Sequence, residues 1–242
     1  MICRFLKRTI VKKSKNLSLS NFSNSKPKRF LVNYLAKQCR HVFYHAKESL
    51  GLHKRDLVVC RVEEACDSLQ ETKQQFEGAL EKFKELALIQ GGSLETRYRI
   101  LKQQLVLSES KAKAVHERIL LIEDVSEALF CEWETELENY SNRHLRTQSR
   151  QQLKSSRRHY GRLIKAMYRA EAKIKPVLSA FRDQVLFLKH NLNAQAIAAL
   201  QYELMEISVD ISQLILAMEH SIAEANSFVL VLVKQKTLSH AG

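Results

Sequence analysis

The chain has 242 residues, 45 % of them hydrophobic, with a formal net charge of +13. That apolar share excludes wholesale disorder. Two prolines and six glycines, against about 12 and 17 at average usage, exclude a fold with many turns and predict few, long helices. The charge is unevenly placed. Residues 1–47 hold twelve of the 39 Lys and Arg and no acid, the first being Glu48, which leaves 27 bases against 26 acids in the remainder. A basic arm of this kind attracts polyanions, whether phosphate backbone, anionic lipid or an acidic protein.

Residues 1–29 mix Lys, Arg, Ser and Asn with scattered apolar residues and read as a basic, disordered tail or a degraded targeting segment. Residues 30–50 predict a short helix ending at Gly51, in the place of a helix-terminating glycine. From residue 52 to 233 the pattern is regular. Val58, Val62, Ala65, Leu69, Thr72, Phe76, Ala79, Phe83 and Leu86 step by four and three, a heptad seam that predicts a helix over 52–89. Gln90-Gly91-Gly92-Ser93 breaks it, with Ser93 placed to cap the next helix.

The second helix, predicted over 94–140, has Tyr98, Leu101, Leu105, Ser108, Ala112, Val115, Ile119, Ile122, Ser126, Leu129 and Trp133 on its seam. The third, over 143–189, turns Leu153, Tyr160, Leu163, Met167, Ala170 and Ile174 inward. Pro176 falls inside that pattern, which resumes through Leu178, Phe181, Val185 and Leu188, so a kink is expected there and not an end. Asn193 opens the fourth helix, over 194–233, with Ile197, Leu200, Leu204, Ile207, Ile211, Leu214, Met218, Ser221, Ala225, Phe228 and Leu232 inward.

Four long helices on short loops pack antiparallel. The fold class is therefore all-α, an elongated antiparallel four-helix bundle of coiled-coil-like helices behind a basic N-terminal tail. Residues 117–138 hold eight acids against Arg118, and residues 143–175 hold eleven bases against Glu171. Adjacent antiparallel helices with opposite signs should attract along their flanks. The longest unbroken apolar run, Phe228 to Val233, is far short of the ~20 residues of a transmembrane helix.

Residue patterns that carry chemistry are few. The five cysteines form no C-x-x-C pair, so neither a disulfide framework nor a cysteine zinc site is indicated. Cys60, Cys66 and Cys131 lie in helical patterns and are expected as small core residues. No histidine follows a Glu by three positions, which removes the di-iron bundle motif, and no phosphate-binding or nucleophile-elbow motif occurs. His41 and His45 share a helix face without a third ligand. No catalytic residue, cofactor, metal or small-molecule substrate is indicated. Two polar clusters at helix junctions remain as candidate partner contacts: His53, Lys54, Arg55 and Asp56 at one end of the bundle, and Lys189, His190, Asn191 and Asn193 at the other. Capping and loop solvation are the plain reading of both, and a ligand or partner contact at a bundle end is the sharper one.

Gly51 to Asp56, Gly91-Gly92, Ala128-Leu129-Phe130 with Glu132-Trp133-Glu134, and Pro176-Val177-Leu178 with Leu188 to Ala194 together resemble domain-of-unknown-function family 2959, over roughly residues 39–230. The resemblance implies a bacterial, envelope-associated coiled-coil protein, many relatives carrying a lipoprotein signal, and brings no activity, cofactor or catalytic residue. It also implies a lipid-bearing cysteine shortly before the segment matching Tyr44 to Asp56, a place that Cys39 occupies. The flanks depart from that pattern. Residues 30–36 are a short apolar stretch broken by Asn33, and Lys37-Gln38 replaces the small residues that cleavage wants. The chain reads as a relative whose export signal has decayed or whose start is misplaced, so cell envelope and cytoplasm both stay open.

Three functions compete at this point. The first is a non-enzymatic scaffold or interaction protein held at an anionic membrane or on another protein, with homo-oligomerisation open to it. The second is a nucleic-acid-associated coiled-coil protein using residues 143–175. The third is an enzyme or ligand binder built around His190.

Overall fold

The computed structural model describes residues 53–88, 93–191 and 194–240, excepting the side chains of 194–199 and 235–240. Residues 1–52, with Cys39 and the predicted tail and short helix, lie outside the described residues, as does Asn193. The described chain is four helices: α1 Lys54–Leu88, α2 Leu94–Leu137, α3 Arg143–His190 and α4 Ala194–His240. Each packs on the next, and α1 also packs on α4, which closes the bundle. The chain is thus an all-α antiparallel four-helix bundle, with no strand among the described residues.

The seams bury as their period requires. Val58, Val62, Phe76 and Phe83 of α1 meet Ile119 and Ile122 of α2, Leu163 and Met167 of α3, and Ile207, Ile211 and Phe228 of α4 in one continuous core. Burying side chains of this size stabilises by roughly 1.5–3 kcal/mol each. Aromatic contacts join the helices: Phe83 stacks on Phe181 at 6.0 Å, and Tyr160 bridges Phe130 at 5.3 Å and Phe228 at 6.1 Å. Away from the helix ends the polar seam positions are small. Thr72 satisfies its hydroxyl on the Ser68 carbonyl at 2.6 Å, while the hydroxyls of Ser126 and Ser221 are buried without a partner.

Several expectations are corrected. At the α1 terminus Ala87 is buried and Leu86 only half-buried; in α2 Arg97 takes the buried place expected of Tyr98; in α3 Val177 goes inward and Leu178 does not. The cause is common to all three. A 3.6-residue helix drifts against a 3.5 repeat, so a seam read rigidly by sevens slips by one residue at its ends and around the proline. Leu204 and Tyr160 are half-buried. Cys60 and Cys131 are exposed and Cys66 half-buried, so none of the three is a core residue; all are free thiols.

The helix ends also shift. α2 stops at Leu137, and α3 starts where the Asn142 side chain accepts from the backbone N–H groups of His144 at 2.9 Å and Leu145 at 3.2 Å, satisfying two otherwise orphaned donors. Ser93 stands at the N-cap of α2 with extended backbone but makes no side-chain capping bond. α3 runs unbroken through Pro176, and α4 continues past residue 233 to His240. Within α4, Leu200–Lys234 is long and apolar enough to cross a membrane by length and composition. Counting only unbroken apolar runs misses this, because Glu and Ser are spread thinly through an otherwise apolar helix.

Candidate functional site

The first predicted cluster forms a built site, turned inward. His53 precedes α1 and its carbonyl accepts from the Leu57 N–H at 3.1 Å, so it caps the helix. Lys54 is buried, only 5 % exposed, and its Nζ lies 2.8 Å from Glu132 Oε1 on α2. A lysine reaches such a position by laying its aliphatic stem along apolar surface and meeting a carboxylate at the end. Arg55 places its guanidinium 4.9 Å from the centre of the Trp133 ring, a cation–π contact. Burial lowers the Arg55 pKa, while the charges of Asp56, Glu136 and Tyr140 oppose that shift. Trp133 is buried, as expected, and its Nε1–H donates to the hydroxyl of Ser149 on α3 at 2.8 Å. The acidic flanks of Trp133 therefore receive the first turn of α1.

The other end of α1 is held by a similar device that sequence reasoning missed. Arg97 of α2 is 4 % exposed and donates to the Leu86 carbonyl at 2.6 Å. Gln201 of α4 donates to the Ala87 carbonyl at 2.8 Å. Both satisfy C-terminal carbonyls that an isolated helix leaves orphaned. The only sequence signal was a charged residue next to an expected seam position, which a heptad reading discards.

The second predicted cluster is separate from the first and stays at the surface. Lys189 and His190 are exposed in the last turn of α3, where cations complement the helix dipole. Asn191 caps that turn, its backbone N–H and its side-chain amide both donating to the Phe187 carbonyl, at 3.0 and 3.1 Å. A capped and solvated helix end accounts for both of these contacts of Asn191.

Along the flanks, α2 acids and α3 bases pair as their opposite signs require: Glu134 with Arg157 at 2.5 Å, Glu109 with Arg182 at 2.5 Å, and Glu138 with Arg146. Glu64 sits between Arg61 and Arg118, at 2.7 and 2.6 Å; the hydrogen bond from Arg61, above all, holds its carboxyl below the usual range. Burial, joined by a 2.7 Å hydrogen bond to Glu123, pushes the Tyr168 hydroxyl up to about 12.

Among the described residues no three His, Cys, Asp or Glu side chains converge in a way that would hold a metal ion. A void lined by Phe83, Leu101, Gln104, Phe181 and Gln184 has room for about one water molecule, far below the ~300–1,000 Å³ of a ligand pocket. What these side chains do chemically is pair and cap.

No curated protein and no solved structure matches the chain. The family model described as protein of unknown function DUF2959 matches residues 43–232, which span all of α1, α2 and α3 and α4 as far as Leu232, and the chain belongs to that family.

Proposed function

We propose that this chain is a non-catalytic structural or interaction protein, a helical bundle held peripherally at an anionic membrane surface through residues 1–47. The observation that carries the reading is the partition of charge: twelve bases and no acid in that segment, against 27 bases and 26 acids in all the rest. Many of the bundle's own bases are paired within it. Lys54, Lys73, Lys111, Arg118, Arg157 and Arg162 each meet an acid within 3.2 Å. A segment without acids has no such internal outlet, and each Lys or Arg near an anionic lipid surface contributes about 1 kcal/mol. The envelope association implied by the sequence resemblance points the same way.

The alternative is a nucleic-acid-associated coiled-coil protein. It rests on Arg150, Lys154, Arg158, Lys165 and Arg169, which form an exposed row along α3. Co-sedimentation with anionic vesicles, neutral vesicles and duplex DNA separates the two. Salt-sensitive binding to anionic vesicles, exceeding that to DNA of equal charge, is expected; the reverse order assigns the chain to nucleic acid.

A further inference from the structure

α4 breaks a rule that its three neighbours keep. On α1 the face opposite the core carries Glu63, Asp67, Gln70, Glu77 and Glu81, and on α3 it carries the basic row, with Leu186-Phe187 a single exposed apolar pair near its end. On α2 the exposed aliphatics come as two pairs, Val106-Leu107 and Leu120-Leu121, with Ser110, Lys113 and Glu117 between them. The outer face of α4 instead holds Tyr202, Met205, Val209, Leu216, Leu230 and Val233, all exposed, the first two at 81 % and 78 %. Only 28 % of the apolar window in Leu200–Lys234 is buried. These six fall on one heptad register, completed by Ser212, Glu219, Ala223 and Asn226, diametrically opposite the core seam. A helix apolar on both faces is one that is covered on both faces.

We propose that the α4 face is covered by α4 of a second copy of this chain, packed antiparallel across a two-fold axis. Two observations select this occupant over lipid. Residues 200–234 carry five acids, Glu203, Glu206, Asp210, Glu219 and Glu224, against Lys234, which an anionic bilayer repels, whereas an antiparallel second copy sets Glu203, Glu206 and Asp210 opposite its residues 225–232, a stretch without charge. The 3-4 spacing is the pattern that receives a helix. Self-complementarity selects a second copy. With the axis between Ala217 and Met218, Tyr202 lies opposite Val233 of the second copy and Met205 opposite Leu230. The smallest residues of the register, Ser212 and Ala223, then face each other.

A parallel pairing would set Glu219 against its own symmetry mate. The antiparallel one sets it opposite Leu216, where Lys73 of its own chain holds it at 2.5 Å. The stripe from Tyr202 to Val233 is about 47 Å long at ~1.5 Å per residue and about 10–12 Å wide. It therefore buries roughly 500 Å² per copy, near the ~1,000 Å² total at which specific interfaces begin. The dimer is accordingly weak, on the order of micromolar.

The test is sedimentation velocity on the full chain from ~1 to ~100 µM, with two double variants. Wild type should shift from monomer to dimer across this range. Met205→Glu with Leu230→Glu places two carboxylates opposite each other at both ends of the interface, and should stay monomeric throughout, with the melting temperature that wild type shows at ~1 µM, since both positions are exposed. Met205→Lys with Leu230→Glu should recover dimer at low salt, because only the antiparallel register brings Lys opposite Glu. A wild type that stays monomeric, or a Glu/Glu variant that dimerises as wild type does, overturns the proposal; failure of the Lys/Glu variant overturns the register. A Glu/Glu variant that loses vesicle binding while wild type is monomeric assigns the face to lipid instead. Residues 1–47 are untouched in every variant, so failure here leaves the membrane reading standing.

Discussion

Lys54 Nζ and Glu132 Oε1, 78 residues apart in sequence, lie 2.8 Å apart across α1 and α2, with the lysine 5 % exposed and the carboxylate 28 %. The pair ties the first turn of the bundle to the acidic flank of Trp133. Its attraction is stronger than that of a surface ion pair because the lysine is desolvated, against the cost of that desolvation, and weaker than that of a fully buried pair because Glu132 reaches water. Lys54→Ala should destabilise by about 1–3 kcal/mol, combining the lost pair with the lost stem packing. Lys54→Met, which keeps the stem, should recover part of that loss in urea unfolding. Equal losses in the two variants would mean that packing contributes nothing.

Ile211 is fully buried on α4 and Leu204 is half-buried on the same seam. A carboxylate at the first position has no partner and no water, a cost of several kcal/mol. Ile211→Asp is therefore expected to unfold the bundle or lower its melting temperature sharply. Leu204→Asp should cost less than half as much. The sequence pattern ranks the two positions equally, so the order of the two melts tests the observed burial directly.

A Cβ added at Gly78 or Gly161 meets nothing within 4 Å, and both glycines are exposed inside long helices. Gly78→Ala and Gly161→Ala should each raise stability by roughly 0.5–1 kcal/mol through the unfolded chain's lost freedom. A loss of stability at either site would reveal a close approach to that face.

Burial, reinforced by the charges of Asp67 and Glu63, pushes the Cys66 thiol up to about 11. Cys60 and Cys131 are exposed. At pH 8 a maleimide should label those two well before Cys66, because the thiolate is the nucleophile; peptide mapping reads the order. The folded pKa lies above the unfolded one, so this thiol's contribution is fully present below the ordinary thiol range and lost as pH rises through about 11. Stability measured from pH 8 to 11 should fall over that window, and Cys66→Ala should flatten part of the fall.

A chain beginning at His41 keeps all of residues 43–232 and drops eleven of the twelve N-terminal bases. It should lose nearly all affinity for anionic vesicles at low salt, while the full chain loses its own as salt rises. Equal binding by the two chains would move the contact to the basic row on α3.

The period of the apolar residues was enough to establish four helices, their order and most of their core. A seam repeated over thirty residues has no other way to be buried. The opposite charges of α2 and α3 likewise showed which flanks would meet. What only the tertiary structure decided is where individual polar groups end. Lys54 read as a polar residue at a helix junction and Arg97 drew no reading in sequence, yet both are buried, each answering a carboxylate or carbonyl on another helix. The cysteines read as core and two of the three face water. Most informative is α4, whose sequence has apolar residues on two opposed sides. Periodicity marks such a helix as covered, and only its place at the edge of a closed four-helix bundle shows that one face is filled by this chain and the other is turned outward, because burial is a property of the neighbours and not of the residue.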